Sequence, residues 1–330
     1  MTPIISNKEL LSTLLSSIQE NRVAGCYIIE GAEGTGKLAI ARYFAAALCC
    51  PNRKENAEPC FICHSCKNIH LNSYIDVVEV RPEEEGKRIN IAQIREMLRT
   101  THISATEGDW RVFIIDESQN MKKEAQNAIL KSIEEPSEKT VFLLLTTDKT
   151  KLLPTVRSRA VLLKTSPLTD KELSLALSQR GYGDKDLSDI ILLSGGSLGK
   201  ALDLLQNPQT LTMHKRTAEY FSAIMNGAGF TRLCDIFPPS STTRSDIAIF
   251  LPMIKNGLRD LMVKSQDPES KCLFFTDEKF VLDLASITSL KNAVKLFELC
   301  ENLSSALEQN VNVFSALSGL HLTALSLTKS

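Results

Sequence analysis

The sequence predicts an α/β fold built on a buried parallel sheet and followed by an all-helical remainder, and three observations carry that prediction. Five short apolar runs, CYIIE (26–30), IDVVEV (75–80), RVFIID (111–116), VFLLLTT (141–147) and AVLLKT (160–165), alternate with helical patterns through the first half. Runs that are apolar on both faces suit a parallel sheet, because right-handed crossover helices cover both of its sides. The first run leads straight into a glycine loop and a helix, and strand signals stop after Ser166-Pro167.

With 330 residues, 43% of them hydrophobic, the chain is long enough for two or three domains, each with its own core. Lys plus Arg (38) and Asp plus Glu (39) nearly cancel, so the overall field gives no drive toward a phosphate backbone, and nucleic-acid contact must be local or shared with partners. The first residues lack a basic segment followed by an apolar run, and no stretch of roughly 18 apolar residues occurs. A soluble cytoplasmic protein with no membrane association is expected. Four of the nine cysteines lie in one short segment, which points to a reducing compartment and a metal rather than a disulfide scaffold.

Strand CYIIE runs into Gly31-Ala32-Glu33-Gly34-Thr35-Gly36-Lys37, and LAIARYFAAAL continues as a helix, the context a phosphate-binding loop needs. Its glycines let backbone N–H groups face phosphate oxygens, the helix N-terminus adds a positive dipole, and Lys37 adds a charge. The next position should carry a hydroxyl for Mg²⁺, but Leu38 has no oxygen to offer. Hydrolysis should be crippled and productive ATP–Mg²⁺ binding is not expected, although phosphate binding by the backbone and Lys37 can survive. Asp116-Glu117 ends the run RVFII where a Walker B pair would stand; the plainer alternative is an acidic cap on the following helix.

Further along, KKEAQNAILKSIEEP sets Ala125, Ala128, Ile129 and Ile133 on one helical face, and Pro136 ends the helix. After Pro167, LTDKELSLALSQRGY and DLSDIILLSGGSLGKALDLLQ read as a small helical unit broken at Gly195-Gly196, and from about 210 the pattern stays helical, with a loop at Phe237-Pro238-Pro239-Ser240-Ser241. The expected parts are 1–166 with an inserted metal module (50–66), 167–209, and 210–330.

Cys50, Cys60, Cys63 and Cys66 have the spacing C-x9-C-x2-C-x2-C. Three of them can converge from one tight turn while Cys50 approaches from the end of the loop helix, and four thiolates suit a closed, structural Zn²⁺ site. Cys49 adjoins Cys50 and competes for its role. His64 and His70 are expected at the surface, since four cysteines complete a site, and Cys26, Cys234, Cys272 and Cys300 sit in apolar patterns as packing residues.

The segments WRVFIIDE (110–117), AQNAILKSIEEP (125–136) and LLPTVRSRA (152–160) resemble the ATPase module of bacterial clamp-loader subunits of DNA polymerase III, the delta-prime and gamma/tau family. The similarity covers about the first 205 residues, and INIAQIREM (89–97) matches the family's second-strand region. The resemblance implies an AAA+ module with a small helical lid, a zinc module at the cysteines, and a C-terminal helical collar that assembles with delta and gamma/tau subunits. The complex loads the sliding clamp onto primed DNA.

In hydrolysing members a sensor 2 arginine follows Gly-Ser-Leu, whereas Gly195-Gly196-Ser197-Leu198 is followed here by Gly199-Lys200. With Leu38 and the absence of a long tail, this matches the non-hydrolysing delta-prime branch. The alternatives are an active gamma/tau-type ATPase and a zinc and nucleotide-binding adaptor unconnected to replication. The family's Ser-Arg-Cys motif corresponds to Ser158-Arg159-Ala160, which implies that Arg159 reaches the ATP of a neighbouring subunit as an arginine finger. Arg157, two residues earlier, is the decoy.

Overall fold

Strands form where the five apolar runs stand. In the computed structural model, which describes residues 7–83, 88–101, 105–183, 187–287, 289–308 and 312–328, these are β1 (Cys26–Glu30), β2 (Val77–Val80), β3 (Arg111–Ile115), β4 (Thr140–Thr146) and β5 (Val161–Lys164). All pairings are parallel, in the order β2-β3-β4-β1-β5. This is the AAA+ arrangement that the resemblance implies.

Alternation along each strand divides the sheet into two buried faces. Tyr27, Ile29, Val112, Ile114, Leu143 and Leu145 pack under α1 (Lys8–Gln19), α2 (Lys37–Cys49) and α3 (His64–His70). Cys26, Ile28, Phe113, Ile115, Phe142 and Leu144 pack under α4 (Ile91–Arg99), α5 (Lys123–Glu134) and α6 (Pro154–Arg157). Phe113 and Phe142 stack across adjacent strands with centroids 5.0 Å apart, adding roughly 0.5–1.5 kcal/mol to their burial. Ala125, Ile129 and Ile133 of α5 are buried and Ala128 half-buried, the face expected from their spacing.

Two expectations are corrected. The run at 160–165 is not buried on both faces: β5 is an edge strand with no helix covering it fully, so Val161 and Leu162 are exposed. The segment 89–97 is not the second strand, which is Val77–Val80. Ile89 makes only a bridge to Met121, and Ile91–Arg99 is helical because Ile94 and Met97 repeat at helical spacing behind an Asn90/Gln93 capping box.

The chain forms two compact units, the first running to Ala176 and including Ser197–Gly199, the second comprising Leu177–Gly196 and Lys200 onward. Helix α7 (Asp170–Leu177) reaches the boundary. The remaining helices are α8 (Ser188–Ser194), α9 (Leu198–Gln206), α10 (Pro208–Met225), α11 (Phe230–Ile236), α12 (Arg244–Lys264), α13 (Glu278–Ile287), α14 (Leu290–Glu308) and α15 (Val313–Thr328). The expected break at Gly195-Gly196 separates α8 from α9, with φ of 57° and 78° in the left-handed region that glycine tolerates.

The core of the second unit is aromatic. Phe250 lies edge-on to Tyr220 and Phe237, at 5.4 and 4.7 Å between centroids, so the expected loop after Ile236 begins with a wholly buried Phe237. Buried Asp260 accepts backbone N–H bonds from Leu273 (2.9 Å), Phe274 (2.7 Å) and Phe275 (3.3 Å), which fixes the loop after α12. Among the described residues, no helix is long and apolar enough to cross a membrane.

Candidate functional site: a glycine loop, a cysteine cluster and an exposed arginine

The glycine loop leaves β1 and closes onto the first turn of α2. Gly34 (φ 73°) and Gly36 (φ 86°) take left-handed conformations that a side chain would strain. At Gly31 the demand is space, since a Cβ there would collide with the Thr165 hydroxyl. Thr35 is buried, and its hydroxyl donates to the Ala32 carbonyl at 2.7 Å and lies 2.9 Å from Thr165 Oγ1. Thr165, at the end of the fifth apolar run, is a loop-supporting residue that sequence reasoning passed over. Its only signal is a hydroxyl where an apolar strand stops.

Lys37 turns back into the loop, and its Nζ donates to the carbonyls of Gly31 (2.7 Å) and Ala32 (2.8 Å). Burial lowers its pKa against the opposing pull of Asp116, Glu33 and Glu117. Asp116 directly follows β3, where burial raises its carboxyl pKa against the N–H of Glu117, which donates to Asp116 Oδ1 at 2.9 Å, and against the charge of Lys37. Glu117 sits at φ 49° and accepts from Asn120 Nδ2 at 2.8 Å within its own turn. The structure therefore brings Lys37, Asp116 and Glu117 into one electrostatic neighbourhood, with Leu38 beside Lys37 offering no oxygen.

Within the first unit, Ser197–Gly199 lies against the loop. The Gly199 N–H points to the Gly34 carbonyl at 3.5 Å, and a Cβ at position 199 would come within 3.2 Å of Gly34 Cα. Residue 199 is therefore a close-packing position.

Cys50, Cys60, Cys63 and Cys66 converge, all four sulfurs lying within 4.8 Å of one another and Cys50 Sγ 3.9 Å from Cys63 Sγ. Tetrahedral Zn–S bonds of about 2.3 Å would set sulfurs about 3.8 Å apart, so the cluster fits a metal with small adjustments. Backbone N–H groups support it: Cys60 donates to Cys50 Sγ (3.4 Å), Cys63 to Cys60 Sγ (3.4 Å) and Cys66 to Cys63 Sγ (3.5 Å). Burial pushes the Cys60 thiol up, but the N–H groups of Ile62 and Cys63 prevail and bring it down to about 6, whereas burial raises Cys50 and Cys66.

Cys49 faces elsewhere. Its Sγ meets the Trp110 carbonyl at 3.5 Å in the core, and burial pushes it up to about 12. His64 and His70 are exposed and outside the cluster. Cys26, Cys272 and Cys300 are buried packing residues, and Cys234 is half-buried.

Arg159 stands just before β5, away from the glycine loop's hydrogen bonds. Its Nε pairs with Glu134 Oε1 at 2.6 Å, its Nη1 donates to the Thr155 carbonyl (3.0 Å) and Ser158 Oγ (3.2 Å), and the side chain is 38% exposed. Arg157 is half-buried, with its Nε shielded and without a hydrogen-bond partner.

Residues 6–169 match the family described as "DNA polymerase III, delta subunit". Over 177 residues the chain is 35% identical to the DNA polymerase III subunit delta′ of Pseudomonas aeruginosa, covering 53% of each chain. It is 32% identical over 175 residues to the subunit tau/gamma of Haemophilus influenzae, 53% of this chain and 25% of that one. The delta′ of Bacillus subtilis is 26% identical over 267 residues, 80% of each. The matched part thus spans about half of the Pseudomonas relative and a quarter of the Haemophilus one.

Proposed function

We propose, on the match of residues 6–169 to the DNA polymerase III delta-subunit family, that the chain is a non-hydrolysing clamp-loader subunit. In this reading it assembles with delta and gamma/tau subunits in the cytoplasm and helps load the sliding clamp onto primed DNA. The parts 1–166, 167–209 and 210–330 serve as AAA+ module, lid and collar.

One observation carries the non-hydrolysing role. Leu38 stands directly after Lys37, whose ammonium folds back over the carbonyls of Gly31 and Ala32, so the position that should hold Mg²⁺ beside the phosphate offers no oxygen. Gly199, packed against Gly34, supports the same reading. Cys50, Cys60, Cys63 and Cys66 hold a structural Zn²⁺, which ties the end of α2 to α3 and leaves no open coordination position.

Arg159 supplies what the chain contributes to chemistry. A guanidinium is always charged and presents a planar fork of donors, so it can stabilise charge developing on the γ-phosphate held by a neighbouring subunit. The partly exposed position before β5 suits that reach.

The test mixes the chain with its cognate delta and gamma/tau subunits, measures the mass of the complex, and compares ATP turnover with wild type, Arg159→Ala and Arg157→Ala. Assembly with lower turnover for Arg159→Ala alone is expected. Failure to assemble would favour an adaptor unconnected to replication. The second reading, an active gamma/tau-type ATPase, draws on the 32% identity to tau/gamma, and turnover by the isolated chain on the order of 1 s⁻¹ would favour it.

A further inference from the structure

The ion pair between Arg159 and Glu134 has a geometry that surface charge alone does not require. Glu134 is the last residue of α5, where the carbonyl end of the helix disfavours a carboxylate. It nevertheless points at Arg159 and accepts from Nε at 2.6 Å. With Nη1 donating to the Thr155 carbonyl and Ser158 Oγ, three contacts fix the guanidinium plane and leave Nη2 without a hydrogen bond among the described residues.

The carboxylate is mounted on a rigid frame. Gln126 of α5 is buried, its Nε2 donating to the carbonyls of Met121 and Lys151 (both 3.1 Å) and its Oε1 accepting from the Leu153 N–H at 2.7 Å. These bonds lock α5 to the segment that enters α6, the short helix immediately before Arg159. Glu134 and Arg159 are therefore held in register by a buried polar bridge, not by the exposed pair itself.

We infer that Glu134 is a positioning residue for Arg159, holding the guanidinium by Nε so that Nη2 is preset for an anionic oxygen on another subunit. This rests on the reading of Arg159 as a trans-acting finger. An arginine has a long, mobile side chain, and ordering it before the encounter removes that cost from the step in which phosphate charge develops. Glu134 touches no phosphate and acts only through Arg159.

The experiment uses the assembled complex and a double-mutant cycle with Glu134→Gln, Glu134→Ala and Arg159→Ala, reading kcat and KM for ATP, with complex mass and the thermal melt of each variant as controls. Both Glu134 variants are expected to lower kcat by about two- to fivefold, the scale of coupling in a partly exposed pair, with mass and melt unchanged. In the Arg159→Ala background they should lower it no further. The proposal is overturned if the Glu134 variants leave kcat unchanged while Arg159→Ala lowers it, or if they raise kcat, which would make Glu134 a restraint. It is also overturned if they lower kcat equally with and without Arg159. If Arg159→Ala itself has no effect, the finger reading falls and takes the positioning role with it.

Discussion

Lys37 donates from Nζ to the carbonyl oxygen of Gly31 at 2.7 Å, which folds the ammonium back over the glycine loop. The loop keeps the left-handed glycines of a phosphate site, but Leu38, adjacent to Lys37, has no oxygen with which to hold a metal. The isolated chain should release phosphate from ATP no faster than a Lys37→Ala variant. A clear difference between the two in a steady-state phosphate assay would restore an active site.

The four clustered sulfurs predict about one Zn²⁺ per chain. Cys63→Ser should lose most of it, whereas Cys49→Ser should retain it, because Cys49 Sγ faces Trp110 rather than the cluster. Elemental analysis of the purified variants distinguishes them. Retention should weaken as pH falls, since protons compete with the metal for the thiolates.

Helix α12 opens on a reciprocal cap, in which the Asp246 N–H donates to Thr243 Oγ1 (3.2 Å) and the Thr243 N–H to Asp246 Oδ2 (2.8 Å). Burial pushes the Asp246 carboxyl up, but the hydrogen bonds from Thr243 prevail and hold it below the usual range. A depressed folded pKa contributes stability above the unfolded value, near 4, and that contribution is lost as pH falls through the folded value. Thr243→Ala should therefore cost about 0.5–2 kcal/mol at pH 7. In denaturant melts, the gap from wild type should narrow toward pH 3.

Gly257 lies on the buried face of α12, and a Cβ there would meet the Phe221 ring at 2.5 Å and Phe274 at 3.2 Å. Phe221 is itself wedged against Phe274 and Phe275, so the ring has little room to yield. Gly257→Ala gains helix propensity of under about 1 kcal/mol but should be net destabilising by about 1–2 kcal/mol through overpacking. A rise in the denaturation midpoint would contradict this.

Local chemistry and periodicity were legible in the sequence alone. The runs at 26–30 and 111–116 became β1 and β3 almost residue for residue, because a strand apolar on both faces and flanked by helices has one stable place, inside a parallel sheet. The cysteine spacing named the four residues that cluster, and glycine, lysine and leucine at 36–38 described both the loop and the missing hydroxyl after its lysine. What depended on long-range contact was decided by the tertiary structure. Cys49 and Cys50 are chemically identical neighbours, and only the exit of the chain from α2 turns one to the core and the other to the cluster. The strand order left β5 at an edge, exposing Val161 and Leu162 despite their apolar run. The pairing of Arg159 with Glu134, and of Thr35 with Thr165, joins residues distant in sequence. Periodicity reports which face of an element is apolar, whereas these partners are set by where the crossovers bring the ends of separate elements together.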